Sequence, residues 1–77
     1  MKIGEWYVQT FRNGDEVYFQ PSAVQKNGGF AGVHYAISVD RPRARPKPKK
    51  SSVPRGFTNL WRWVPESEVP FHRFGDR

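Results

Sequence analysis

Residues 5–20 read EWYVQTFRNGDEVYFQ, and this stretch decides the fold class. Two runs rich in aromatic and β-branched residues flank Asn13-Gly14, the pair that two-residue type I′ hairpin turns prefer. Such a turn would place Val8 opposite Phe19 in an antiparallel ladder. We therefore expect a core face with Trp6, Val8, Thr10, Val17 and Phe19, and an outer face with Tyr7, Gln9, Phe11, Glu16, Tyr18 and Gln20.

The chain beyond this hairpin alternates short β-rich runs with turns. Pro21 should end the second strand, because proline cannot donate a ladder hydrogen bond. Period-2 alternation of apolar residues predicts a third strand over 30–39 and a fourth over 57–64. Within the fourth strand, Trp61 and Trp63 would share one face and pack in the core or at its rim.

The C-terminal part of the chain resembles a known fold. Pro65 should end the fourth strand, and residues 66–69 suit a single helical or 3₁₀ turn, before a last short strand or packed tail at 70–74. This ending, WVPESEV over 63–69, resembles that of SH3-like small barrels, in which a late strand leads into a short turn. The predicted fold class is all-β: a small antiparallel curled sheet or SH3-like barrel of four or five strands with one short helical turn, in a single domain over 1–77.

The excess charge of the chain is concentrated in one proline-rich segment. The net charge is +6, and residues 41–50, RPRARPKPKK, hold six cations and no anion. Of the 13 Lys and Arg residues, 7 therefore lie elsewhere, where they match the 7 Asp and Glu residues. Because prolines disfavour helix and internal strand pairing, we expect 40–56 to be a long, flexible, disordered loop. Charge localised in this way is typical of a segment that meets a polyanion.

The centre of this segment resembles a known DNA-binding motif. Residues 42–47, PRARPK, are similar to the AT-hook, whose Pro-Arg-Gly-Arg-Pro core lies in the minor groove of A·T-rich DNA. The resemblance implies that Arg43 and Arg45 enter the groove, with Ala44 in place of the hook glycine, while flanking cations contact phosphates. The full set of expected nucleic-acid-binding residues is Arg41, Arg43, Arg45, Lys47, Lys49, Lys50 and Arg55.

Other interpretations of these features stay open. The basic segment also suits an acidic protein surface, or a solvated loop that keeps the domain soluble. Three rings of the outer face, Tyr7, Phe11 and Tyr18, suit base stacking or contact with a protein partner if exposed, and packing if covered. The predicted function is a non-enzymatic nucleic-acid-binding protein, with DNA favoured over RNA. The alternative is a small interaction module that binds and regulates or inhibits a larger protein.

The sequence lacks the patterns of catalytic and metal-binding sites. It has no cysteine, and its two histidines, His34 and His72, are far apart and lack metal-ligand spacing. Glu66 and Glu68 lie too close together on one turn to flank a glycosidic bond. No glycine-rich phosphate loop is present. We therefore expect no enzymatic activity, no cofactor, no metal and no small-molecule substrate.

Membrane signals are also missing from the sequence. No run approaches the ~20 apolar residues that span a bilayer. Residues 1–5, MKIGE, lead into a strand without the apolar stretch of a signal peptide, and the lack of cysteine suits a reducing compartment. We expect an intracellular, cytoplasmic protein with no membrane partner, nuclear only if its source is eukaryotic.

Overall fold

The fold is a five-stranded antiparallel sheet. The structure, a computed structural model, describes residues 1–42 and 45–69 of the chain. The strands are β1 (Trp6–Thr10), β2 (Glu16–Val24), β3 (Phe30–Ile37), β4 (Lys49–Val53) and β5 (Arg62–Val64). Two 3₁₀ segments, η1 (Arg55–Leu60) and η2 (Glu66–Glu68), flank β5. The strand order is β4-β3-β2-β1-β5, and no ladder joins β4 to β5 within the described residues. The prediction of an all-β antiparallel fold is confirmed, in the form of an open sheet.

The first hairpin turn has three residues, where the sequence predicts two. Gly14, with φ at 100°, donates its N–H to the Phe11 carbonyl at 3.0 Å, and Phe11 donates its own to the Asp15 carbonyl at 2.8 Å. A three-residue loop closed by a left-handed glycine is a common hairpin connection. The side chain of Asn13 stabilises it, because its Oδ1 accepts the N–H of Asp15 at 3.0 Å.

The longer turn shifts the register of the hairpin by one residue. Val8 lies opposite Tyr18, and Tyr7 lies opposite Phe19, so the predicted pairing of Val8 with Phe19 is wrong. A one-residue slip moves every side chain of a strand to the other face of the sheet. Tyr18 therefore joins Val8 on one face, and Phe19 joins Tyr7 on the other.

Both faces of the sheet carry buried side chains. The front face holds a core cluster that consists of Trp6, Val8, Tyr18, Ile37, Val64 and Val69. On the back face, Phe19 is fully buried, and its ring centroid lies 5.6 Å from that of Trp61, which follows η1. The short sheet is thus stabilised by apolar packing on two sides, which suits a chain of this size.

The second strand continues past Pro21, contrary to the prediction that it ends there. The register shifts between Pro21 and Ala23, so the proline sits at a β-bulge. The carbonyl of Pro21 accepts the N–H of Gly4 at 2.9 Å. The N–H and C=O of one strand residue point to the same side. The missing N–H of Pro21 would therefore point toward the N-terminal segment, so the ladder with β3 loses no hydrogen bond at this residue.

The proline-rich segment ends in a strand that the sequence analysis did not predict. The expected loop over 40–56 includes Lys49–Val53, which pairs as β4 with β3. Prolines are tolerated next to an edge strand, and here Pro48 and Pro54 flank β4 without entering it. The irregular part of the segment is therefore shorter than expected at its C-terminal end.

The predicted fourth strand over 57–64 is mostly a 3₁₀ segment. Its first part belongs to η1, which begins after Pro54 when Phe57 donates its N–H to the Pro54 carbonyl at 2.9 Å. Only Arg62–Val64 pairs as a strand, beside β1. Trp61 and Trp63 both lie toward the back face, but Trp61 is outside the strand, at the C-cap of η1.

The end of the described chain follows the prediction. Pro65 precedes η2, which covers Glu66–Glu68 as the expected 3₁₀ turn. Val69 then enters the front core and is fully buried. The strand or packed tail expected at 70–74 lies outside the described residues. No helix in the described part of the chain is long and apolar enough to cross a membrane.

Candidate nucleic-acid interface

Two of the predicted basic residues lie on an edge strand. Lys49 and Lys50 begin β4, opposite His34 and Val33 of β3. Because neighbouring strand residues point to opposite faces, Lys49 projects toward the back face and Lys50 toward the front face. In the described chain β4 pairs only with β3. The two lysines thus present positive charge on both sides of one open edge.

Three other predicted cations precede this strand. Arg41 follows the turn after β3, where it donates its backbone N–H to the Ser38 carbonyl at 3.1 Å. Arg45 and Lys47 lie between this turn and β4, and all three side chains are exposed. Arg43, which the AT-hook resemblance places in the minor groove, lies outside the described residues, as does Ala44.

Arg55 extends the basic edge beyond the end of β4. It is the first residue of η1, separated from β4 by Pro54 alone. Its aliphatic stem crosses the turn between β2 and β3, since a Cβ built on Gly28 would stand 3.0 Å from Arg55 Cδ. Gly28 also has φ at 90°, a conformation that favours glycine. The stem packs on the turn while the guanidinium remains at the surface.

Five cations of this group are not neutralised by ion pairs within the described residues. Glu5, Asp15 and Glu16 accept hydrogen bonds from neutral groups, at 2.8, 2.8 and 3.3 Å. Exposed cations without a paired carboxylate keep their full attraction for an external anion. Among the described residues, no carboxylate forms a salt bridge with Arg41, Lys47, Lys49, Lys50 or Arg55.

The aromatic residues predicted to share an outer face are separated in the structure. Tyr7 lies on the back face and Tyr18 on the front face, and both are buried, at 8% and 6% exposure. Phe11, at the hairpin turn, is 46% exposed. The prediction of one shared face is wrong because it rested on the two-residue turn. The burial of both tyrosines favours packing, the alternative that the sequence left open.

The pKa of Tyr18 departs from that of an ordinary tyrosine. Burial raises the pKa of its hydroxyl to about 12, and the negative charge of Glu16, which also accepts its hydrogen bond, adds to this effect. The tyrosine is therefore neutral at physiological pH and anchors the front core as an uncharged ring.

The structure exposes other apolar side chains that the sequence analysis missed. Phe57, Leu60 and Trp63 are each more than half exposed. Phe57 and Leu60 are three residues apart in η1, and that spacing aligns side chains along a 3₁₀ segment. The sequence signal was present in Pro54, which can precede a 3₁₀ turn, but the alternation over 57–64 pointed to a strand.

The described part of the chain shows no cluster of metal ligands. Within residues 1–42 and 45–69, no group of three or more His, Cys, Asp or Glu side chains is placed to hold a metal ion. The chain matches no family model, no curated protein and no solved structure. What bears on function is therefore the arrangement of its own residues.

Proposed function

We propose that this chain is a non-enzymatic protein that binds nucleic acid, DNA in preference to RNA, through its basic segment. The observation that supports the proposal is the set of exposed cations on and beside β4, of which Arg41, Lys47, Lys49, Lys50 and Arg55 form no salt bridge among the described residues. A localised positive field of this kind attracts phosphate backbones and releases their counterions. We further propose that it acts in the cytoplasm, or in the nucleus if its source is eukaryotic.

The proposed binding mode combines a rigid part and an extended part. β4 holds two lysines at fixed positions on the sheet edge, and its backbone is fixed by the ladder with β3. Pro46 and Pro48 each fix their own φ and disfavour the helical conformation of the residue before them, which lowers the entropy lost on binding. By resemblance to the AT-hook, Arg43 and Arg45 enter the minor groove. Phosphates are contacted by Arg41, Lys47, Lys49, Lys50 and Arg55.

A salt titration of duplex binding tests this proposal. If each of the six cations of 41–50 neutralises one phosphate charge, from within the groove or on the backbone, the logarithm of the association constant should fall with the logarithm of salt concentration with a slope of about −5. The measurement is fluorescence anisotropy of a labelled A·T-rich duplex, repeated with a G·C-rich duplex and an RNA duplex. Binding that is undetectable at low salt, or insensitive to salt, would refute the proposal.

A second candidate function is an interaction module for a larger protein, which the basic segment or an apolar surface would contact. The observation in its favour is the exposed pair Phe57 and Leu60, aligned on one side of η1. Exposed apolar side chains grouped in this way are typical of protein-binding surfaces. A partner captured after nuclease treatment and at high salt, and lost on Phe57→Ala with Leu60→Ala, would favour this function over the first.

A further inference from the structure

An open cleft lies at the opposite edge of the sheet from β4. It has a volume of about 540 Å³ and is lined by Met1, Lys2, Glu5, Tyr7 and Trp63. One wall is the N-terminal turn, in which Glu5 donates its N–H to the Lys2 carbonyl at 3.2 Å. The other is the cross-strand pair formed by Tyr7 of β1 and Trp63 of β5. This volume lies within the range of small-ligand sites.

The walls of the cleft are held in place by hydrogen bonds. The Tyr7 hydroxyl accepts the backbone N–H of Lys2 at 2.7 Å, and Gln20 donates its side-chain amide to the Gly4 carbonyl at 3.0 Å. Both contacts join the N-terminal turn to the sheet. The cleft is therefore part of the folded structure and does not depend on a ligand to form it.

Trp63 presents an aromatic ring to solvent in a fixed orientation. The side chain is 53% exposed, although a ring of this size is usually covered in a small domain. Its indole Nε1 donates to Glu5 Oε1 at 2.8 Å, which restricts rotation of the ring. The other carboxylate oxygen, Glu5 Oε2, accepts no hydrogen bond among the described residues. An oriented ring thus stands beside an acceptor that has no donor.

The groups in the cleft select one class of ligand. An exposed indole binds flat aromatic rings by stacking and cations by cation–π attraction. A simple cation is disfavoured because Lys2 lines the same cleft. A nucleotide fits all three groups, with its base on Trp63, an amino group of the base on Glu5, and its phosphate beside Lys2. We propose that this cleft binds one unpaired nucleobase, stacked on Trp63 with its exocyclic amino group donating to Glu5.

The cleft and the basic edge are linked by one row of residues across the back face. Successive ladder partners place these residues side by side on all five strands: Lys49, His34, Phe19, Tyr7 and Trp63. With strands ~4.8 Å apart, the two ends of the row are separated by roughly 19 Å. This proposal rests on the proposed function, because the cations at β4 would hold the phosphates of the same nucleic acid strand. From β4 that strand would run across η1 and place one of its bases on Trp63.

The test compares short single strands of equal length that differ only in their bases. We would measure anisotropy with oligo-deoxycytidine, oligo-deoxythymidine and an abasic strand that keeps the phosphates. The wild type should bind the cytidine strand about 5- to 150-fold more tightly than the abasic strand, the range that stacking of one base confers. It should prefer cytidine to thymidine, because cytosine carries an exocyclic amino group and thymine a carbonyl oxygen in its place.

Substitutions in the cleft separate stacking from hydrogen bonding. Trp63→Leu should abolish the preference for the cytidine strand over the abasic strand, while affinity for the abasic strand stays unchanged. Trp63→Phe, which keeps an aromatic ring, should retain part of that preference. Glu5→Gln should favour thymidine over cytidine. The amide oxygen of Gln would still accept from the Trp63 indole, and its NH₂ group would then donate to the carbonyl oxygen of thymine. Phe57→Leu removes an exposed ring outside the cleft, and the preference should persist.

The outcomes distinguish this proposal from the one on which it rests. If the wild type binds natural and abasic strands equally, the base site is refuted while phosphate binding by the basic segment stands. A preference that persists in Trp63→Leu, with its fold verified by circular dichroism, also refutes the site. Failure to bind any strand or duplex refutes both proposals. Reversal of base preference by Glu5→Gln would support the assigned contact directly.

Discussion

Gly32 of β3 lies directly opposite Pro21 of β2, at the bulge that turns the second strand. The two backbones approach so closely that a Cβ on Gly32 would stand 2.8 Å from Pro21 Cα and closer still to the Gln20 carbonyl oxygen. Backbone atoms in a paired strand move only together with the ladder. The fold therefore requires glycine at this position for space.

Replacing this glycine should destabilise the protein. Gly32→Ala forces the β2–β3 ladder apart at the bulge, and overpacking of this kind costs ~1–3 kcal/mol of unfolding free energy. In a domain of this size each kcal/mol lowers the Tm by about 4–8 °C. Thermal unfolding followed by circular dichroism measures the effect. Gly56→Ala is the matched control, because a Cβ there meets no atom within 4 Å; equal Tm values for the two variants would contradict the account.

The ionisation of Tyr18 should make the protein less stable at high pH. Its pKa is about 12 in the folded state against 10.0 for an ordinary tyrosine. The folded protein thus holds the proton more tightly than the unfolded chain, so the contribution to stability is complete below pH ~10 and is lost as pH rises toward ~12. Tyrosinate absorbance against pH, with the Tyr18→Phe curve subtracted, isolates this group.

Removal of the neighbouring carboxylate checks the cause of the shift. Glu16→Gln removes the negative charge that opposes ionisation, so the pKa of Tyr18 should fall toward its ordinary value while burial keeps it raised. Burial is the larger cause, and the change should therefore be only part of the total shift. A pKa that stays at the wild-type value in Glu16→Gln would show that the charge plays no part.

Neutralising the edge lysines should weaken nucleic acid binding without unfolding the protein. Lys49→Gln with Lys50→Gln removes two proposed phosphate contacts, so the salt slope should become less steep by about 2. Both side chains are exposed, and the Tm should stay within a few degrees of the wild type. The matched control is Arg12→Gln with Arg62→Gln, two exposed cations outside the basic segment. An equal loss of affinity in both variants would argue for a general charge effect over a defined interface.

The sequence predicts which segments form strands better than it predicts how those strands pair. β-rich runs and the proline before Glu66 identify the first three strands and η2, because those signals are local. Lys49–Val53 reads as loop, since its sequence, KKSSV, has little apolar alternation. It becomes a strand because β3 offers unpaired backbone groups, and that is a tertiary effect.

The same distinction applies to the candidate site. The basic residues can be identified from composition alone, because long charged side chains are rarely buried. The exposure of aromatic residues depends on register, and one residue of loop length decides it. For that reason the sequence points to Tyr7 and Tyr18, which are buried, and places Trp63, which is exposed, in the core or at its rim.

Deletion of Arg12 tests the register on which these face assignments depend. In the structure Phe11 already lies opposite Asp15, with residues 12–14 as the loop. Without Arg12 the remaining Asn13-Gly14 forms the two-residue type I′ turn that this pair prefers, and the rest of the ladder keeps its partners. The unfolding free energy should change by no more than ~1 kcal/mol, because the core is untouched.

The alternative register gives the opposite result for the same deletion. If Arg12 faced Asp15, its removal would slide β1 by one residue and exchange the faces of Trp6 and Tyr7, which destroys the packing of both layers. Deletion of Gln9, inside β1, causes such a slide in the observed structure and serves as the control. Urea unfolding should therefore show a cooperative transition for the Arg12 deletion and none for the Gln9 deletion. Loss of the transition in both would mean that the three-residue loop is wrongly assigned.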